Sequence, residues 1–171
     1  NEGSKLIHGQ HGGVYGSDLF TSHEDFERSV SDLYLTWGWK ENEKTHPIGI
    51  LKSIKKIKRG KNYDNSKNSN LLYVLRSRSR YSVNLLHSDI RSSQMISYFD
   101  ENINLISKFD NNVKKSLILR LHSRKFGWQE KQRFISKLND INIDEGYQNI
   151  FDLINKSKLA VFTYNATGYL E

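Results

Sequence analysis

The 171-residue chain contains no cysteine, which excludes disulfides, thiolate metal sites and a cysteine nucleophile together. It has a single proline, Pro47, placed in Thr45-His-Pro-Ile-Gly49, where a bend is expected. No apolar run approaches the roughly 18 residues of a membrane span, and no secretory leader is visible. The most specific phosphate-binding signatures, the P-loop and G-x-G-x-x-G, are also missing.

What is present suits a folded domain. Hydrophobic residues make up 36% and charged residues 26% of the chain, enough apolar material for a core and unlike a disordered composition. The length fits one ordinary domain, or one domain with a piece of another. A formal net charge of +7, concentrated in Lys52–Lys61 and in Arg76, Arg78 and Arg80, favours anionic partners: nucleotide phosphates, nucleic acid or an anionic membrane face. Both ends read as cut, since the chain lacks an initiator Met and stops where Thr167-Gly-Tyr-Leu-Glu171 begins a helix-like pattern. A fragment of a longer protein is therefore expected.

In chain order, Lys5–Ile7 reads as the end of a strand running into His8-Gly-Gln-His-Gly-Gly-Val-Tyr-Gly16. Glycine there permits unusual backbone angles, and histidine exchanges protons near neutral pH. Ser22-His-Glu-Asp25 starts a predicted helix reaching about Val30, and Leu33–Trp39 predicts a short strand turning at Gly38. Lys52–Asn70 lacks a sustained apolar period and reads as a connector. A regular alternation follows: a buried strand over Leu71–Leu75, a helix from Asp89 to Phe109, a strand over Ser116–Leu121 and a helix over Trp128–Leu138. A short strand over Ile141–Ile143, a helix capped by Asp144 and a last strand over Leu159–Phe162 complete it. This pattern specifies an α/β fold built on a parallel sheet with helices on both faces.

In such sheets ligands bind beyond the carboxyl ends of the strands. The residues following the predicted strands are Arg76, Arg78, Arg80 and Tyr81, then Arg120, His122, Arg124 and Lys125, then Thr163-Tyr-Asn-Ala-Thr-Gly168. Any one arginine reads more often as solvated surface, and a Thr/Asn loop more often as a simple helix cap. Their shared end of the sheet makes Arg76, Arg78, Arg120, His122, Arg124, Asn165 and Thr167 candidates for binding phosphates. In the glycine loop, His11 fits a general base, with Gln10, Gly12 and Gly13 shaping the backbone around it. Metal is not expected at His8 and His11, because glycines oppose the helix that would align them and no third ligand lies near. Trp37-Gly-Trp39 reads as an aromatic turn or as a stacking platform. Nucleic acid is not the expected partner, since only Tyr63 accompanies the Lys52–Lys61 run.

Four stretches in order, Gln10–Gly16, Ser31–Trp39, Leu119–Trp128 and Thr163–Glu171, resemble the motifs of a family of bacterial surface-polysaccharide transferases. That family is similar in turn to CDP-glycerol glycerophosphotransferases and to capsule glycosyltransferases of GT-B architecture. The resemblance implies two Rossmann-like domains. Residues 1–51 would end an acceptor-side domain, 52–70 would connect, and 71–171 would be a nucleotide-donor domain truncated at its C-terminus. It places His11 as catalytic base, Arg120-Leu-His122 on the donor phosphates and Tyr164–Thr167 at a helix start. Two positions depart from the related transferases: Ser123 follows His122 where proline is common, and Thr163 precedes Tyr164 in place of aspartate. These positions bear on the donor pocket.

The expected activity is a metal-independent transfer of a sugar from a nucleotide-activated donor, used as substrate and not as a cofactor, to a glycan or lipid-linked acceptor. A CDP-alditol donor in a glycerophosphotransferase and a non-catalytic nucleotide- or RNA-binding module are the alternatives. A cytoplasmic location is expected, with peripheral contact to the anionic inner membrane face through Lys52–Lys61. The piece alone is expected to be inactive.

Overall fold

The computed structural model describes residues 3–12, 15–16, 19–49, 70–81 and 90–164. These fall into two compact units, one within residues 3–49 and the other within residues 70–164. The connector read over Lys52–Asn70 lies outside the described residues except for Asn70 itself, as do Gly13, Asn165, Thr167 and the expected helix start at Asp89.

In the first unit, β1 (Ile7–Gly9), β2 (Leu33–Thr36) and β3 (Thr45–Pro47) form a parallel sheet in that order. Helix α1 (Ser22–Val30) lies between β1 and β2 in the chain and coincides with the range expected from sequence. Pro47 does not make the expected bend; it ends the edge strand β3, opposite Thr36. An edge strand tolerates a residue with no N–H, and pairing continues through Ile48 N–H donating to the Thr36 carbonyl at 3.0 Å. Strand β2 stops at Thr36 rather than Trp39, because Gly38 at φ +120° turns the chain and the Thr36 hydroxyl donates to the Trp39 carbonyl.

The second unit runs β4 (Asn70–Val74), α2 (Met95–Ser107), α3 (Asn111–Ser116), β5 (Leu117–Arg120), α4 (Glu130–Lys137), β6 (Asn142–Asp144), α5 (Ile150–Asn155) and β7 (Ser157–Phe162). All its strands are parallel, in the order β6-β5-β4-β7. Alternate residues of a strand face opposite sides of a sheet, and two cores result. Tyr73, Leu75, Leu117, Leu119 and Leu121 meet Met95, Phe99 and Ile106 of α2 and Phe134 of α4 on one face. Leu72, Val74 and Ile118 meet Ile150 and Leu153 of α5 on the other. The chain is thus an α/β protein of parallel sheets flanked by helices, Rossmann-like in this unit.

Two elements differ from expectation. Helix α3 is too short to show a helical period in its sequence. Asp144 caps nothing: it is the last residue of β6, and Asn149 caps α5 by accepting from Phe151 N–H at 2.9 Å.

Phe99 is 1% exposed and stacks edge-on to Trp128 and Phe134, with centroids at 6.4 and 6.2 Å. Phe99→Ala should destabilise the protein by about 3–5 kcal/mol, measured by urea unfolding followed by circular dichroism. Ile135→Ala, at a half-exposed position of α4, should stay within about 0.5 kcal/mol.

Candidate functional site

In the second unit the chain steps outward from β4 to β5 to β6 and then returns to set β7 on the other side of β4. Strand order therefore reverses between β4 and β7, and open α/β sheets bind ligands in the crevice beyond the carboxyl ends at such a point. The residues there are Arg76 and Ser77 after β4, and Thr163 and Tyr164 after β7. A chain of hydrogen bonds holds them. Arg76 N–H donates to the Tyr98 hydroxyl at 2.8 Å, Tyr98 is bonded to the Thr163 hydroxyl, and the Thr163 hydroxyl donates to the Val74 carbonyl at 3.0 Å. Tyr98 comes from α2 and closes the gap between the two strand ends. Burial pushes its phenol up to about 12, so it stays a neutral donor and acceptor at physiological pH. The Arg76 guanidinium lies 5.1 Å from the centre of the Tyr164 ring, a cation–π contact that fixes the side chain at the crevice.

Beyond β5 the two best-placed candidates separate in role. Arg120 donates to Asp144 Oδ2 at 2.5 Å, to the Gln148 carbonyl at 3.0 Å and to the Gly146 carbonyl at 3.4 Å. With the Arg120 and Asp144 side chains only 13% and 4% exposed, this is a buried ion pair with its remaining hydrogen bonds met. Its guanidinium is engaged in tying β5 to the loop after β6. Gly146, at φ +88°, completes that junction: a Cβ there would lie 2.5 Å from the Ser123 nitrogen and 2.8 Å from the Leu121 carbonyl.

His122 sits in the loop so fixed. Its Nδ1 accepts the Arg124 N–H at 3.0 Å, which places the proton of the neutral ring on Nε2. Burial, and then the positive charges of Arg76 and Arg124, lower its pKa. His122 is therefore a neutral donor through Nε2–H near pH 7, next to cations.

The remaining contacts brace the same end of the sheet. The Ser77 hydroxyl donates to Glu130 Oε1 at 2.5 Å, both residues being buried, and Trp128 Nε1–H donates to the Arg78 carbonyl at 2.6 Å. Arg78 is half-buried and Arg124 exposed. On the far side of the same loops, Lys125 and Lys131 both bond Glu145, at 2.5 and 2.6 Å, and hold its carboxyl down at about 2.

In the first unit the glycine loop is held by one face of α1. Gly16 N–H donates to Glu24 Oε2 at 2.8 Å, Tyr15 donates to Glu27 Oε1 at 3.2 Å, and the Ser31 hydroxyl meets His8 Nδ1 at 2.6 Å. Residues 24, 27 and 31 recur at helical spacing. Gln10 is buried and works as a clamp: its Oε1 accepts from Trp37 N–H and Trp39 Nε1–H, both at 2.9 Å, and its amide donates to the Tyr15 carbonyl at 3.0 Å. Gly12, at φ +141°, follows His11. His8 is tied to Ser31, while His11 is 64% exposed, stacks on Tyr15 with centroids 5.3 Å apart, and approaches Glu27 Oε1 at 3.4 Å through Nε2. The Trp37–Trp39 turn is a structural element in this arrangement, since its indole and backbone both serve Gln10.

Sequence reasoning missed Tyr98, Glu130, Asp144 and Gly146. Tyr98 and Glu130 sit inside helical patterns that look like ordinary amphipathic faces. Only Gly146, directly after two acids that follow a short strand, carried a visible signal, that of a position with φ > 0. Among the described residues no helix is long and apolar enough to cross a membrane, and no group of three or more His, Asp or Glu is placed to hold a metal ion.

A parallel sheet in this strand order with helices on both faces defines a Rossmann-like α/β domain, with polar and cationic groups at its switch point. The chain belongs to a family of transferases: the model described as LIC12162 family transferase matches residues 1–171. No curated protein and no solved structure matches it significantly.

Two predictions follow from the β5 end. An unfolded histidine takes up its proton near pH 6.5, whereas folded His122 does so only at lower pH. The unfolded chain thus binds more protons in this window, and stability falls as pH drops from about 7 through the folded pKa. His122→Asn should flatten that acid loss in urea titrations between pH 7.5 and 5. Gly146→Ala should destabilise by more than about 1 kcal/mol and shift the His122 ring resonances in NMR spectra.

Proposed function

We propose that this transferase moves a sugar from a nucleotide-activated donor to a hydroxyl of a surface-glycan acceptor. The observation that carries the proposal is the crevice between β4 and β7, the switch point of a Rossmann-like sheet, where Arg76 is anchored on Tyr164; the neutral Nε2–H donor of His122 follows the adjacent strand β5, within reach of the Arg76 charge. Dinucleotides and nucleotides occupy that position in folds of this order. The resemblance of the four motifs to surface-polysaccharide transferases supports the sugar donor and the glycan or lipid-linked acceptor.

In this mechanism His11 takes the proton of the acceptor hydroxyl, the acceptor oxygen bonds to the anomeric carbon, and the bond from that carbon to the diphosphate oxygen breaks with its electron pair leaving on the diphosphate. Charge accumulates on the leaving group. Arg76, Arg78 and Arg124 oppose it, His122 donates to it, and Asn165 and Thr167, which follow Tyr164 in the sequence, are assigned to the same leaving group. Arg120 acts through Asp144 and the Gly146 loop, as the brace that holds His122 in position. A base in the place of His11 is worth about 10²- to 10⁴-fold, and donors aimed at a developing anion contribute about 3–4 kcal/mol each in a dry site. The Lys52–Lys61 run is assigned to an anionic membrane face, where each charge contributes about 1 kcal/mol.

His11→Ala in the complete protein should lower turnover by at least about 100-fold; turnover within a few-fold of the parent removes the base assignment. Calorimetric titration with UDP, CDP, GDP and a single-stranded RNA at several salt concentrations should show selective binding of one diphosphate, weakened about 10-fold or more by Arg76→Ala. Binding of RNA with a steep salt dependence and no nucleotide preference would instead favour a nucleic-acid module.

A further inference from the structure

The proposed base leaves unexplained why α1 turns its polar face to the glycine loop. Phe26 and Val30 of this helix are exposed, 66% and 43%, while Glu24 is 5% exposed. A surface helix ordinarily does the reverse. Residues of α1 and its C-cap hold successive points of β1 and the loop: Glu24 holds Gly16, Ser31 just past the helix holds His8, and Glu27 stands between them, against Tyr15 and His11.

We propose that Glu27 is the positioning residue of His11, the carboxylate that fixes its ring and stabilises the imidazolium formed when it accepts a proton. This rests on the reading of His11 as the base. Glu27 Oε1 lies 3.4 Å from His11 Nε2 and 3.2 Å from the Tyr15 hydroxyl. The stack on Tyr15, with an interplanar angle of 14°, restrains the ring in the remaining direction. Together the two contacts leave Nδ1 as the nitrogen turned away from the helix, the one that would meet the acceptor hydroxyl.

Glu27 is suited to this role by what it lacks. Its side chain is 18% exposed and its Oε2 is buried with no hydrogen-bond partner among the described residues, a state that costs a carboxylate dearly. A positive charge on His11 offsets that cost, so the pair is better satisfied after proton transfer than before it. Such a difference between ground state and transition state is what accelerates a reaction. Besides His11, Tyr15 in the loop and Tyr34 of β2 feel the charge of this carboxylate, and Glu24 and Arg28 of α1 act on the same phenols. Burial and Glu27 push Tyr15 up to about 12, and burial with Glu24 and Glu27 raises Tyr34 as well. Both phenols stay protonated near neutral pH.

The test is the tautomer of His11 in the 171-residue chain, read from long-range ¹H–¹⁵N NMR spectra at a pH where the ring is neutral. The expected result is a single Nε2–H tautomer, converting to a mixture in Glu27→Gln and restored in Glu27→Asp. An Nδ1–H form or a mixture in the parent overturns the proposal without any variant, so a misfolded Glu27→Gln leaves it testable. In the complete protein Glu27→Gln should lower kcat about 10- to 100-fold with KM within about threefold, the mark of an interaction made in the transition state. An unchanged kcat also overturns it. The His11→Ala measurement separates the two failures: if His11→Ala is severe and the tautomer is not fixed, only the role of Glu27 falls, and if His11→Ala is silent, the base itself is wrong.

Discussion

The hydrogen-bond ladders on the two sides of β4 organise the second unit. On one side Leu71–Val74 pair with Leu117–Arg120, and on the other Asn70–Val74 pair with the residues of β7. Both ladders end at Val74, and the partner strands run in the same direction, so three loops leave the sheet at one level. The Val74 carbonyl makes the geometry visible: Thr163 reaches it with both its N–H and its hydroxyl. A parallel sheet with both faces covered cannot slip its register by one residue without turning Leu72 and Val74 into the opposite core. The arrangement of Arg76, Tyr98 and Thr163 is therefore a consequence of packing at Tyr73, Leu119 and Phe99.

A second constraint acts at the neighbouring strand. Burying Arg120 and Asp144 carries a desolvation penalty that their attraction alone does not guarantee to offset. What the pair supplies is position. Three donors of one guanidinium reach Asp144, Gly146 and Gln148, and the Leu121 N–H bonds the Asp144 carbonyl at 2.8 Å. The loop after β6 is thereby pressed onto the backbone of Leu121 and Ser123 so closely that only glycine fits at position 146. His122 lies between those two residues. Its tautomer follows from the Arg124 N–H and its lowered pKa from burial and the Arg76 and Arg124 charges, in a loop whose backbone the salt bridge and Gly146 press into place.

The fold was legible in the sequence because its signals were periodic. Leu71–Leu75 and Ser116–Leu121 are apolar runs of strand length, and Phe99, Ile103 and Ile106 recur at helical steps; each lands where that pattern requires. Boundaries were less legible. The strand after β5 and the helix after it were misjudged at Asp144, because an acid before Tyr147, Ile150 and Phe151 looks like a cap, and only the partner 24 residues earlier in the chain reveals it as the counter-ion of Arg120. Of the candidate site residues, Arg76 and His122 were readable as polar groups after strands. Tyr98 was not, because a tyrosine among core positions of α2 looks like packing until the loop it bonds is in view. Arg120 and Arg124 look alike in sequence; one is a buried brace and the other an exposed side chain, a difference that only tertiary structure expresses.

The glycine loop shows the same division between chemistry and support. Two histidines three residues apart look equivalent in sequence. Ser31 donates its hydroxyl to the Glu27 carbonyl, so the His8 Nδ1 must be the donor in its 2.6 Å bond to Ser31, and His8 is fixed as a strut. The partners of His11 among the described residues are an aromatic face and a carboxylate, which orient a ring without quenching it. Glycine at 12 and 16 matters for the same reason. At Gly16 a Cβ would lie 2.7 Å from the Trp39 indole nitrogen, displacing the group that Gln10 holds, and with it the backbone from which His11 projects. Helix α1 turns Glu24 and Glu27 toward the loop, which returns one hydrogen bond to each from Gly16 N–H and the Tyr15 hydroxyl, while Phe26 and Val30 face outward.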